Sequence, residues 1–207
     1  MPSPTVDELQ DSKHFRLLAE MGHEEIAQFA AEYYWRRKSW ITLAHILFSS
    51  GVAGTWVYVG LRNKLAFGAW MDGFGFAVLA ALVILLPIHE LIHGAAYKAS
   101  GAKDVRYKVA WRQFCAYAIA HNFVASSWVF RWVAVLPFVV INAVLIMGSC
   151  WFSSFQFFLL ALLLIHTAGT SGDFAMLNFL WLNRREEVYS YDDAGEQKSY
   201  FYRRIKQ

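Results

Sequence analysis

Charge is scarce in this sequence. Only 17% of its 207 residues are Asp, Glu, Lys or Arg, where a soluble domain carries about a quarter. With 57% hydrophobic residues, that balance excludes an ordinary aqueous surface. The net charge of +3 is small and tied to the ends of apolar runs, which excludes a nucleic-acid-binding surface. Cysteine is nearly absent as well. Cys115 and Cys150 have neither disulfide-framework nor metal-finger spacing, and are expected at opposite ends of the molecule. The first 39 residues contain no apolar core preceded by a basic stretch, so no cleavable signal is expected.

Long apolar runs and aromatic rings are abundant instead. Nine Trp and ten Tyr are the kind of residue that collects where a bilayer meets water. Four stretches, at about 40–60, 74–96, 132–151 and 155–182, each reach the roughly 20 residues that a hydrocarbon core requires. The fourth is too long for one straight helix and contains Gly169 and Gly172, so a break is expected near Thr170. Asp72 reads as the N-cap of the second span. The expected fold is an all-α polytopic membrane protein with four transmembrane helices, a small β-hairpin loop and an amphipathic N-terminal helical segment. Residues 1–39 form the N-terminal segment, 40–183 the membrane domain and 184–207 the tail.

Lys and Arg set the expected orientation. Arg36, Arg37 and Lys38 precede the first span, Lys98 to Arg131 supply six cations between the second and third, and Arg184 and Arg185 follow the fourth. By the excess of positive charge on cytoplasmic loops, both termini and the central loop face the cytoplasm. In 1–39, Thr5 and Glu8 form a capping-box pattern, and Leu9, Phe15, Leu18, Ile26 and Phe29 recur at helical spacing, as in a helix on the membrane surface. The central loop alternates apolar and basic residues from 105 to 119, the pattern of a hairpin. The tail alternates similarly on both sides of Asp192-Asp193-Ala194-Gly195.

The chemistry lies in His89-Glu90-Leu91-Ile92-His93. On a helix, His89 and His93 fall on one face a turn apart and can hold one Zn²⁺ at about 2.0–2.1 Å. Glu90 projects beside them, where it can accept a proton from a water on the metal. Between Tyr33 and Asn183 the only acids are Asp72, Glu90, Asp104 and Asp173. Of these, only Glu90 and Asp173 lie inside apolar segments, where an ionisable group costs several kcal/mol unless paired or coordinated. Asp173 is therefore the expected third metal ligand, at similar depth: about 18 residues, roughly 27 Å, along its span, against about 15 residues, roughly 23 Å, for His89. The alternative is that Asp173 caps the segment starting at Phe174. His45 and His166 are either hydrogen-bonded core residues or partners that orient a ligand. Pro87 is expected to deprive the Val83 carbonyl of its helical partner and bend the span.

Four elements together carry a resemblance: Pro87 to Lys98 with its His-Glu-Leu-Ile-His-Gly core, the strand-like basic loop, Val135-Leu136-Pro137-Phe138, and Gly169-Thr170-Ser171-Gly172-Asp173-Phe174. They resemble a bacterial family of small membrane zincin peptidases, itself similar to the site-2 protease class of intramembrane metalloproteases. The resemblance covers about residues 70–182. It implies zinc on His89, His93 and Asp173, Glu90 as general base, and residence in the bacterial cytoplasmic membrane. One departure is plain: site-2 proteases place the third ligand in Leu-Asp-Gly, and this chain has Gly172-Asp173-Phe174.

The expected activity is zinc-dependent peptide hydrolysis near the cytoplasmic face, on a membrane protein or peptide substrate. Val109 and Trp111 of the hairpin are expected to bind the unwound substrate as an added strand. Two other classes stay open: a haem or redox protein ligated by His45, His89, His93 or His166, and a scaffold with a structural metal.

Overall fold

A computed structural model describes residues 3–110 and 115–205. Trp40–Arg62 forms α3, whose first turn is closed by Ser39: its hydroxyl accepts the Ile41 amide, and its own amide donates to Thr42 Oγ1, each at 3.2 Å. One continuous helix then runs Phe67–Ala99. It consists of α4 (Phe67–Ala80), a π turn (Ala81–Leu85) and α5 (Leu86–Ala99). Asp72 lies inside α4 and caps nothing, because the helix starts at Phe67, earlier than the hydropathy pattern suggests. Ser127–Trp151 is α6, with Pro137 in its interior and Ser126 Oγ accepting the Val129 amide.

The expected break in the last apolar stretch is present. Gln156–Gly169 (α7) and Ser171–Leu182 (α8) are helices, and with the turn that precedes α7 the pair bends by 42°. Its cause differs from the expectation. Neither Gly169 nor Gly172 has positive φ or an atom that a Cβ would touch. The break falls on Thr170, whose hydroxyl donates to the Thr167 carbonyl at 2.8 Å and whose backbone leaves the helical region. Among the described residues, three helices are long and apolar enough to cross a membrane, and four if the bent pair counts as one span.

Both hairpins form. β2 (Val105–Ala110) pairs antiparallel with β3 (Cys115–Ala120), Tyr107 opposite Ala118. In the tail, β5 (Val188–Asp193) pairs with β6 (Lys198–Arg204), and β5 also pairs with the short β4 (Ala125–Ser126). The N-terminal segment departs from the expected helix. The capping box at Thr5 and Glu8 is made, but α1 is only Val6–Leu9, and Phe15–Gly22 is a strand, β1, laid against β6. A partner strand far along the chain overrides the local helical spacing, as tertiary pairing commonly does. The sheet order is β1-β6-β5-β4. Only Ile26–Ala30 (α2) and the π turn Ala31–Arg36 are helical in the rest of that segment, apart from one 3₁₀ turn. Fully buried Asn178 of α8 holds this helix by its end, donating to the Tyr33 and Arg37 carbonyls at 2.5 and 2.6 Å.

Candidate metal centre

α5 carries His89, Glu90 and His93 into the interior, where each is 7–8% exposed. The π turn sets their direction. Pro87 has no amide to donate, and its ring would press on the carbonyl four residues back. The chain answers with one wide turn in which the Leu86 amide reaches Ala81 O, five residues away, and this re-phases the helix below it. Gly94, directly after His93, has its own steric reason: a Cβ there would collide with the Tyr107 hydroxyl of β2. The hairpin packs against the motif helix through that contact.

Three side chains meet at one point. His89 Nε2 and His93 Nε2 are 3.0 Å apart. Asp173, in the first turn of α8, places Oδ2 3.2 Å from His89 Nε2 and Oδ1 3.3 Å from His93 Nε2. Tetrahedral bonds of 2.0–2.1 Å separate neighbouring donors by about 3.3–3.4 Å, so the spacing suits one zinc ion. The outer nitrogens settle the tautomers. His93 Nδ1 donates to the Val133 carbonyl at 2.9 Å. His166 Nδ1 donates to Asn142 Oδ1 at 2.7 Å, which leaves His166 Nε2 to accept from His89 Nδ1 at 3.2 Å. Both inner Nε2 atoms therefore turn lone pairs toward a carboxylate, an arrangement that a divalent cation completes.

Glu90 belongs to the same cluster, with a carboxylate oxygen within 4.8 Å of the histidine donors. It could itself ligate, but Asp173 approaches both rings more closely. The Glu90 carboxylate accepts the Ala118 amide of β3, while its buried Oε2 has no hydrogen-bond partner among the described residues. An unpartnered carboxylate oxygen beside a metal-type cluster is suited to receive a proton.

His45 touches none of these groups. Its Nδ1 is 2.5 Å from Tyr34 Oη, its Nε2 is 3.0 Å from the Thr167 carbonyl and 3.1 Å from Thr170 Oγ1, and its ring stacks on Phe174 at 3.9 Å. It braces the break that aims Asp173. Val109 lies on β2, half exposed, and does not line the cavity at the cluster; Trp111 lies outside the described residues. β3 is the strand that faces the site.

A cavity of about 470 Å³ opens over the cluster. Ala116 to Ile119 of β3 form one wall, and Ala81, Leu82, Leu85, Leu86 and Met176 extend it along the helices. Met21, Asp192, Ser199 and Phe201 close the end under the four-stranded sheet. Asn142 and Asp192 are the residues that sequence reasoning missed. Asn142 carried a signal, a polar amide inside an apolar span; Asp192 read only as part of a turn.

A helix presenting His-Glu-x-x-His to a further carboxylate, beside an edge strand, defines a zincin-type site. A family model described as "Putative zincin peptidase" matches residues 82–187, and the chain belongs to that family. No curated protein and no solved structure matches the chain.

Proposed function

We propose that this protein is a zinc-dependent peptidase of the membrane, acting on peptide segments near the cytoplasmic face. The observation that carries the reading is the convergence of His89, His93 and Asp173 within 3.0–3.3 Å, with the free Glu90 oxygen beside them. In this reading His89, His93 and Asp173 hold the metal. His166 and Asn142 fix the tautomer of His89, the Val133 carbonyl fixes that of His93, and His45 acts only through the Thr170 break.

Zinc held there would supply Lewis acidity toward a water and toward the scissile carbonyl. Glu90 Oε2 takes the proton of the attacking water and passes it to the leaving nitrogen. The Ala118 amide holds the other side of that carboxylate in place. β3 receives the substrate: a transmembrane helix has its amides tied up internally and must be extended before cleavage, and β3 forms the cavity wall along which the extended segment lies. The partners are then a membrane protein or peptide and the lipid bilayer, with no nucleic acid.

The cytoplasmic placement, with both termini on that side, rests on the Lys and Arg that cluster beside the central hairpin and tail. Likeness to site-2 proteases rests on the histidine motif within an apolar helix, and Phe174 in place of their glycine is explained by its stacking on His45. A haem reading has little support, because His45 and His166 have both ring nitrogens engaged. A purely structural metal leaves the Glu90 oxygen without a role.

The test is Glu90→Gln, which keeps size and removes the base. Zinc should stay at about one equivalent while turnover of peptide substrates falls at least roughly a hundredfold. Undiminished turnover would remove Glu90 from the chemistry and the peptidase mechanism with it.

A further inference from the structure

The cavity contains a second acid, away from the three-donor cluster. Asp192 lies near the end of β5, and its carboxylate accepts the Ser199 hydroxyl at 2.6 Å and the Ala120 amide. Among the described residues no Lys, Arg or His comes within ion-pair distance of it; His121 approaches Asp193 instead, at 4.0 Å. Burial pushes the Asp192 carboxyl up to about 6, so at neutral pH it is an anion without a cationic partner in a largely apolar wall. Such a group costs the fold stability unless a cation meets it. Two neutral donors face the charge, and among the described residues no cation does.

Its place along β3 shows what it would meet. Ala118 and Ala120 turn their amides to the same edge of the strand, one to Glu90 and the other to Asp192. Amides two apart on one edge are about 6.6–6.8 Å apart, and an extended peptide along that edge has the same repeat. The edge is occupied beyond Ala120: the Asn122 amide donates to the Asp192 carbonyl at 2.9 Å, and His121 bridges to Asp192. A peptide with its reacting bond at Glu90 thus reaches Asp192 about two residues away, where the tail strand prevents it from running straight on.

We propose that Asp192 forms a subsite for a cationic nitrogen group of the substrate, about two residues from the scissile bond. The group is an ammonium or guanidinium, carried by a basic side chain or by the free amino end of the peptide. This deepens the peptidase reading and rests on it.

The experiment separates the two. Full-length, zinc-loaded Glu90→Gln protein in phospholipid nanodiscs is titrated with fluorescent decapeptides that differ only in Lys against norleucine, each with a free or acetylated amino end. Cationic peptides should bind at least about tenfold more tightly than the fully neutral one, and Asp192→Asn added to Glu90→Gln should reduce that advantage to less than about twofold. Loss of the advantage on acetylation alone assigns the free amino end, and loss with norleucine alone assigns the side chain. Equal binding of all four peptides overturns the subsite, and that result requires no Asp192 variant to fold. Cleavage of the same peptides by wild type, read by mass spectrometry, tests the other reading. Charge-selective binding without cleavage keeps the subsite and removes the peptidase, whereas cleavage with equal binding does the reverse.

Discussion

His166 Nε2 lies 3.2 Å from His89 Nδ1, and the opposite nitrogen of the same ring is 2.7 Å from Asn142 Oδ1. An amide on α6 thereby dictates, through a ring on α7, which nitrogen of a motif histidine is free. Asn142→Leu should leave the helices packed and weaken zinc binding about 10- to 100-fold, the usual scale for losing an outer hydrogen bond to a metal-binding histidine. Competition against a chelator measures it. Affinity equal to wild type would show that His89 keeps its tautomer without the relay.

Asp173 is the proposed third ligand, so Asp173→Ala and His93→Ala should each reduce zinc well below one equivalent in purified protein. Zinc content unchanged in Asp173→Ala would transfer the third position to Glu90, the other carboxylate in the cluster.

The Ala118 amide offers a separable test of how the base is held. Ala118 gives its amide to Glu90 and not to the β2 ladder, so Ala118→Pro removes one donor without breaking the hairpin. Turnover should fall at least about tenfold with zinc retained, while Lys108→Gln on β2 should change little. Full activity in the proline variant, with loss only in the charge variant, would assign the hairpin to lipid headgroups.

Asp192 makes a prediction about stability. Its native carboxyl holds a proton up to about 6, against 3.8 for the ordinary group, because burial disfavours the charge. Among the described residues, Tyr97, His121 and Asp193 are titratable groups near it. Between these two values the folded state binds more protons than the unfolded state, so stability falls as pH rises from about 4 to about 6 and is level above that. The loss is on the order of 3 kcal/mol. Thermal midpoints of wild type should drop across that window relative to Asp192→Asn, and parallel curves would place the carboxyl in a wetter setting.

The three-donor cluster is legible because its signals are local or rare. His89 and His93 are four apart on a helix, and Asp173 is one of two acids buried in apolar segments. The hairpin showed in the alternation after Asp104, and the break at Thr170 showed in the length of the last apolar stretch. What escaped depends on distant partners. Phe15–Gly22 reads as helix until β6 is beside it, and nothing in Asp192-Asp193-Ala194-Gly195 reveals that the first acid faces a cavity and the second a turn. Val109 and Trp111 are the apolar positions to which the alternation that starts at Val105 points. How the hairpin lies on α5, with Tyr107 against Gly94, is a contact invisible in either segment alone.

The position of β6 between β1 and β5 has a consequence for biosynthesis. β6 follows every apolar helix in the chain, yet it carries Ser199 and Phe201 of the cavity wall and is the partner on which β1 depends. During synthesis the cavity therefore keeps one open end, and the first strand has no mate, until β6 is made.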